Sequence, residues 1–346
     1  MNPAREDDAR RRRRAQRRLW LLAALFPAVL LAASALGALN IGLPDLLKLL
    51  TGSSDTPEVV RAVFWDIRMP RVLLAALVGA SLALAGAGVQ GLFRNPLADP
   101  ALIGVSAGAA LGAVLCFYFG WQGLLGGWLL PLAAFIGGWL AVLVLGLFNT
   151  GFAAGGTAKL ILAGVALNAM IGSVLGFFLF SASDDALRSM TFWTLGSCAS
   201  ARWPQVVVLL VFLFVGVFLL WRSARALDAL QLGEEQAAHL GVSVARVRLE
   251  TIIAAALLVG AATAFAGTIG FIGLVAPHMA RLLLGGLHRL VLPGALLLGG
   301  MLLVLADLGA RTLAAPAELA VGILTAAIGG PFFLWLLRRP SSWSAS

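Results

Sequence analysis

The sequence predicts an all-α integral membrane protein with about ten transmembrane helices. Hydrophobic residues make up 60% of the 346 residues and only 12% are charged, whereas about a quarter of a soluble domain is charged. Such a small charged fraction cannot cover a water-facing surface of this size. Ten apolar runs approach the ~20 residues that a helix needs to cross a bilayer. These runs are 19–39, 73–92, 101–119, 124–148, 160–180, 206–221, 251–267, 269–284, 290–308 and 319–337.

The ten runs form one predicted domain, residues 19–337, because no polar stretch is long enough for a separate soluble domain. A basic tail, residues 1–18, precedes this domain, and a short tail, residues 338–346, follows it. We interpret the arginine-rich first tail as a cytoplasmic anchor rather than a nucleic-acid-binding segment, because positive flanks fix the orientation of membrane proteins. The first run exceeds a signal-peptide core of about 7–15 residues, so we expect it to remain as the first helix.

The distribution of arginines predicts that both termini lie in the cytoplasm. Counting the spans from an inward N-terminus places most arginines on the inner side, as the positive-inside rule requires. The long inner segment 222–248 carries four of them. The outward exceptions, which invite a functional explanation, are Arg61, Arg68, Arg71, Arg188, Arg202 and Arg311.

Prolines and glycines predict where the helices break and where they pack. Asn95 precedes Pro96, and proline disfavours helix at the residue before it, so the second helix should end there. Pro277 is expected to interrupt the short run 269–284. Small residues recur every four positions in 104–112 and 322–330, which favours close helix packing in lipid. Five runs precede the segment 181–203 and five follow it, so two inverted halves remain a hypothesis.

Motifs for catalysis and for metal binding are missing from the sequence. It contains no nucleophile elbow, no paired-histidine metal motif and no phosphate-binding loop, so we predict no catalytic residue, no metal site and no resident cofactor. Cys116 and Cys198 are free thiols by default, although the sequence leaves their pairing open. Few ionisable residues fall within the apolar runs, apart from Asp307 and Glu318 near outer helix ends. Because ion-coupled carriers usually need such residues, the chain is predicted to be a passive conduit that needs external energy.

Four segments occur in the order and helical context of one known family. They are RMPR (68–71) with GASLALAG (79–86), QGLFRNPLADP (90–100) with GVSAGA (104–109), LGEEQAAHLG (232–241), and GFIGLVAPH (270–278) with Arg281. Together they resemble the permease subunits of ABC importers for iron chelates, haem and vitamin B12, the FecCD-type family. The resemblance spans residues 19–337.

This resemblance implies the type II ABC importer permease fold, with ten helices per subunit and a homodimer that encloses the transport pathway. Two cytoplasmic ATPase chains, which bind ATP and magnesium, would dock on the inner side. A periplasmic binding protein would dock on the outer side. The chain itself would be no enzyme. It would cross the bacterial inner membrane, in contact with lipid, and move its cargo by alternating access.

The segment 228–241 is implied to be the coupling element that sits in a groove of the ATPase. The spacing of Leu232, Ala237 and Leu240 allows them to share one helical face. An amphipathic helix lying on lipid headgroups is the alternative. The residues implied to couple to the ATPase are Leu232, Gly233, Glu234, Ala237, Ala238, Leu240 and Gly241.

Two further sets of residues are implied by the resemblance. Arg68, Arg71 and Arg311 match outward arginines that pair with acidic residues of the binding protein, because guanidinium groups bind carboxylates in a planar, bidentate manner. Snorkelling to lipid phosphates is the alternative. The positions implied to line or gate the pathway, which helix packing would explain equally well, are Gly164, Ala166, Asn168, Gly172 and Ser173.

Haem is the predicted cargo. The segments 192–197 and 315–322 are most similar to haem-type members, although siderophore-type members carry very similar ones. A ferric siderophore is the first alternative and cobalamin the second. An ion-coupled secondary transporter, which would work without an ATPase, is an alternative of a different class, as is a membrane-embedded enzyme.

Overall fold

The computed structural model describes residues 3–37, 41–52, 56–148 and 157–338. Every regular element within these ranges is a helix. The α-helices are α1 (Pro3–Ala35), α2 (Leu43–Thr51), α3 (Glu58–Ala62), α4 (Met69–Phe93), α5 (Val105–Tyr118), α6 (Leu129–Phe148), α7 (Thr157–Ser181), α8 (Asp184–Thr194), α9 (Trp203–Leu230), α10 (Glu234–His239), α11 (Val244–Ala266), α12 (Ile272–Leu284), α13 (His288–Thr312) and α14 (Val321–Leu337).

All ten predicted apolar runs correspond to apolar helices. Within the described residues, seven helical segments are long and apolar enough to cross a membrane: α1, the continuous α3–α4 segment, α6, α7, α9, α11 and α13. The other three runs form the shorter helices α5, α12 and α14. The prediction of an all-α membrane fold is therefore confirmed.

Two details of the predicted elements differ from the structure. α1 begins at Pro3, so the basic tail is continuous with the first span and its described arginine side chains project from one long helix. Pro277 lies inside α12 and does not interrupt it. The carbonyl of Gly273, which loses its helical donor to the proline ring, packs closely against Gly86 of α4. Residues 339–346 of the predicted C-terminal tail lie outside the described residues.

The centre of the molecule is the antiparallel pair of α4 and α13. Nearly all of α4 is buried, including its glycines and alanines. Gly79 of α4 and Gly299 of α13 face each other, and a Cβ atom on either glycine would overlap the backbone carbonyl of the other. Small residues thus bring the two backbones into direct contact, as is usual where lipid gives no hydrophobic drive for association.

The two ends of the bundle are named here after the short helix that each carries. On the α2 side, the end of α1 meets the start of α4 and the end of α13. On the α10 side, the end of α9 meets the end of α4 and the start of α13. Each α4–α13 end is therefore attached to neighbouring helices.

Non-helical stretches precede the two half-length helices α5 and α12. α4 ends at Phe93, as Pro96 predicts, and Arg94 adopts a left-handed conformation with φ 49°. The chain then passes through a short 3-10 turn, Pro100–Ile103, before α5. Residues 267–271 play the corresponding part before α12. The same order of a long helix, a connecting stretch, a short helix and two further helices thus occurs twice, in α4–α7 and in α11–α14. The inverted relationship of the two halves stays a prediction.

Candidate functional site

α10 is a short helix bounded by two glycines with left-handed backbones. Gly233 has φ 122° and Gly241 has φ 81°, conformations that favour glycine. Arg248 of α11 is buried, and its guanidinium group lies 3.0 Å from the carboxylate of Glu234. This ion pair holds the first residue of α10 against the bundle.

The surface of α10 differs in one residue from the prediction. Leu232 and Leu240 are 65% and 66% exposed, and Ala238 is also exposed. Ala237 is fully buried, because α10 lies against α9 and α11 with this side inward. The predicted common face of Leu232, Ala237 and Leu240 is therefore wrong for Ala237, whereas the two leucines remain available to a partner.

Next to α10, Asp228 at the end of α9 contacts His288 at the start of α13. One carboxylate oxygen of Asp228 lies 2.8 Å from the backbone nitrogen of His288 and 2.7 Å from its Nδ1 atom. The imidazole ring is fully buried. Since a carboxylate oxygen accepts both hydrogen bonds, the Nδ1 atom of His288 is a donor to Asp228.

Gln231 adds a second contact from the same end of α9. Its side-chain amide donates to the carbonyl oxygen of Gly91 in α4 at 2.9 Å. No individual role is predicted from the sequence for Asp228, Gln231 or His288. Asp228 and Gln231 are three residues apart at a helix end, so the sequence indicates that they lie on the same helical face. It does not indicate what they contact, because their partners are remote in sequence.

On the α2 side, Arg71 pairs with two carboxylates. Its Nε atom lies 2.9 Å from Asp307 of α13, and its Nη1 atom lies 3.0 Å from Glu318, which precedes α14. Asp307 is buried, whereas the Glu318 side chain is 47% exposed. The pairing with Asp307 is bidentate, because the Nη2 atom of Arg71 also donates to it at 3.0 Å.

Arg68 and Arg311 bind the end of α1. The Nη1 atom of Arg68 donates to the carbonyl oxygens of Ser34 and Ala35 at 3.0 and 2.9 Å, and the Nη2 atom of Arg311 donates to that of Ala33. Arginines commonly satisfy the last carbonyls of a helix in this way. The expected outward projection of the three arginines is thus replaced by burial with intramolecular partners, and their docking role stays a prediction.

The five predicted pathway residues of α7 divide between two faces. Gly164 packs against the carbonyl of Leu102 so closely that it leaves no room for a Cβ atom. Asn168 Nδ2 donates to the carbonyl of Ala101 at 3.1 Å. These two residues therefore fix α7 on the 3-10 turn, as the packing alternative proposes. The members on the exposed face are Ala166, Gly172 and Ser173.

The described residues contain no group of three or more His, Cys, Asp or Glu side chains that could hold a metal ion. Cys116 and Cys198 are buried and free. Burial raises the pKa of the Cys198 thiol, which lies between α8 and α9. A cavity of about 350 Å³ on the α2 side is lined by Trp128, Trp193 and Arg202, among others.

Comparison with known proteins agrees with this architecture. The model of the FecCD transport family matches residues 23–339. The hemin transport system permease protein HmuU of Yersinia pestis is 43% identical over 316 residues, which cover 91% of this chain and 94% of that protein. The vitamin B12 import system permease protein BtuC of Vibrio cholerae is 39% identical, with 94% of each chain covered.

A solved structure has the same fold. It is a metal-chelate-type ABC transporter in an inward-facing conformation, with a TM-score of 0.84 and 31% sequence identity. The match covers 94% of this chain and 100% of that chain. The agreement therefore extends over nearly the whole chain.

Proposed function

The chain belongs to the FecCD transport family and is the permease of an ABC importer, and on this premise we propose that its cargo is haem. It has the type II ABC importer permease fold. The observation that carries the choice of cargo is the similarity to the hemin permease over nearly the whole chain. The vitamin B12 permeases are almost as similar, so cobalamin is the second candidate, and ferric siderophores are the third.

In the proposed assembly, two copies of the chain form a homodimer and the cargo passes between them. The exposed side of α7 supports this arrangement, because it carries the small residues Ala166, Gly172 and Ser173 where no other described helix covers them. Small side chains let backbones approach closely in lipid. They also offer a large cargo only weak contacts, which conduction requires for exit.

The α10 side is proposed to face the cytoplasm of a bacterium, across its inner membrane. The exposed arginines at positions 10–14, 17 and 18 lie on the N-terminal extension of α1, and Arg222 and Arg246 flank α10. This concentration of positive charge supports the orientation. Both chain ends would then be cytoplasmic.

Each of two partner ATPase chains is proposed to receive one α10. A groove on the ATPase would take up the exposed apolar side chains of Leu232 and Leu240. Ala237 would act indirectly, because its burial fixes the helix on the bundle. The ATPase, rather than this chain, would bind ATP and magnesium and carry out hydrolysis.

A periplasmic binding protein is proposed to dock on the α2 side. Arg71 is the predicted docking residue with the most accessible charge partner, since Glu318 is half-exposed. An acidic residue of the binding protein would have to compete with Glu318 for this guanidinium group. Arg68 and Arg311 would support docking by holding the end of α1 in place.

The cargo is tested by uptake into proteoliposomes that contain the permease with its ATPase and binding protein. Hemin, ferric siderophore and cobalamin are each supplied outside at equal concentration, with ATP inside. We expect ATP-dependent accumulation of hemin above the other two. Preferential accumulation of cobalamin or of siderophore would replace haem as the assigned cargo without changing the importer class.

A further inference from the structure

We propose that Asp228, Gln231 and His288 transmit the movement of α10 to the α4–α13 pair. The inference rests on the proposed coupling of α10 to an ATPase. It assigns to these three residues a positioning role, because their polar groups bind other helices of the same chain. The contacts of Asp228 and Gln231 with α13 and α4 are called the α9 tie below.

Asp228 attaches the end of α9 to the start of α13. The first backbone N–H groups of a helix have no intrahelical acceptor, and Leu287, which precedes α13, supplies no side-chain cap. Asp228, which lies in α9, caps α13 instead: its carboxylate accepts the backbone N–H of His288 at 2.8 Å. A carboxylate at a helix N-terminus also interacts favourably with the helix dipole.

His288 and Gln231 extend this attachment to α4. The Nε2 edge of the imidazole ring packs against Gly91, where a Cβ atom would overlap it. Gln231 donates to the Gly91 carbonyl at 2.9 Å. The end of α9 is therefore fixed to both members of the central pair at one point, through partly buried hydrogen bonds.

The two helices of the central pair, α4 and α13, contact each other along their whole length. Gly79 and Gly299 touch backbone to backbone in the middle, and Arg71 binds Asp307 at the α2 end. Because closely packed interiors transmit displacement instead of absorbing it, α4 and α13 should move as one body. At the far end, Arg71 also holds Glu318, just before α14.

The α9 tie adjoins α10 directly in the chain. α9 ends at Leu230 and α10 begins at Glu234, so only three residues separate the two helices, and Gln231 is one of them. A displacement of α10 therefore reaches the tie without passing through a long flexible loop. The tie thus links the proposed ATPase contact to the α2 side through a rigid pair of helices.

Substitutions of His288 separate the role of each ring nitrogen. His288→Asn keeps a donor close to the position of Nδ1 and can still bind Asp228. His288→Gln moves the donor to the position of Nε2, which faces Gly91, and His288→Leu removes it. Arg222→Ala is the matched control, because it breaks an ion pair of 3.1 Å between α9 and Glu250 of α11 without touching α13.

The full chain is reconstituted with its ATPase after Cys116 and Cys198 are replaced by alanine and a spin label is attached at Leu313→Cys. Leu313 follows α13 on the α2 side and is 71% exposed. The distance between the labels of the two subunits is measured with and without ATP. Thermal unfolding and ATPase binding are recorded for every variant.

We expect the distance between the two spin labels to change when ATP is added to the chain that retains His288. The same change is expected in His288→Asn and in Arg222→Ala. The response should be lost in His288→Gln and His288→Leu, although both still bind the ATPase. An ATP response of normal size in a folded His288→Gln variant would overturn the inference, as would equal loss in His288→Asn and His288→Gln. Failure of the unsubstituted chain to bind an ATPase would overturn the proposed function, and this inference with it.

Discussion

Arg71 and Asp307 form a buried bidentate ion pair that joins the ends of α4 and α13 on the α2 side across 236 residues of sequence. The pair closes the same two helices that Gly79 and Gly299 bring together in the middle. A buried charge without its partner is strongly destabilising. The stability of the bundle should therefore depend on both members of this pair.

Asp307→Ala should destabilise the protein because it leaves the buried guanidinium group of Arg71 without its main partner. The expected loss is about 3–5 kcal/mol, measured as a lower midpoint of thermal unfolding in detergent. Glu318→Gln is the control: its side chain is 47% exposed, and removal of such an ion pair should cost about 0–1 kcal/mol. Equal destabilisation by the two substitutions would contradict the assignment of Asp307 as the principal partner.

Gly79→Ala should prevent close contact of α4 with α13. The added Cβ atom meets the Gly299 carbonyl, and neither backbone can move without disturbing the core. Overpacking of this kind typically costs about 1–3 kcal/mol, and the folded yield in detergent should fall. Gly172→Ala is the control, because its Cβ atom meets nothing within 4 Å. A folded yield of Gly79→Ala as high as that of Gly172→Ala would show that the helices are not in contact there.

Asn168→Leu should loosen the attachment of α7 to the chain before α5. It removes the hydrogen bond to Ala101, and such bonds within membranes contribute about 0.6 kcal/mol on average. The stability loss should be small, whereas cargo uptake should fall if α7 borders the pathway. Ser173→Ala, on the exposed face of the same helix, loses only a hydrogen bond to Ala169 within α7. Comparison of uptake by the two variants separates attachment of α7 from contact with the cargo.

Leu240→Glu should abolish binding of the partner ATPase. The side chain is exposed on α10, so the substitution leaves the fold intact and places a charge in the proposed apolar contact. Co-purification of the ATPase with the permease provides the measurement. Leu313→Glu is the control, because it makes the same substitution at an exposed leucine on the α2 side. This variant should retain the ATPase. Loss of binding in both variants would indicate a general effect on the fold rather than a contact.

The positions of the ten apolar helices could be predicted from the sequence because apolar runs mark the segments that enter a bilayer. The break before Pro96 could be predicted for an equally local reason. Pro277 shows the limit of such rules: it lies inside α12, and the Gly273 carbonyl that it leaves without a helical donor packs against Gly86 of α4. That outcome depends on a neighbouring helix, which the local sequence does not contain.

The candidate site was predictable in position but not in its contacts. Helical spacing placed Ala237 with Leu232 and Leu240, yet the docking of α10 on α9 and α11 buries it. Arg68 and Arg71 were predicted to lie at the outer surface. In the structure both are buried: carbonyl oxygens of α1 bind Arg68, and the carboxylate of Asp307 binds Arg71. These partners come from remote parts of the chain, so spacing within one segment cannot reveal them.

The central claim is that this permease has no energy source of its own and that a separate ATPase drives it through α10. Hemin accumulation in proteoliposomes tests it most directly, measured with the ATPase and binding protein present and compared between ATP, a non-hydrolysable ATP analogue and no nucleotide. We predict accumulation with ATP alone, and none when the permease carries Leu240→Glu. Accumulation driven by an ion gradient without the ATPase would contradict the claim.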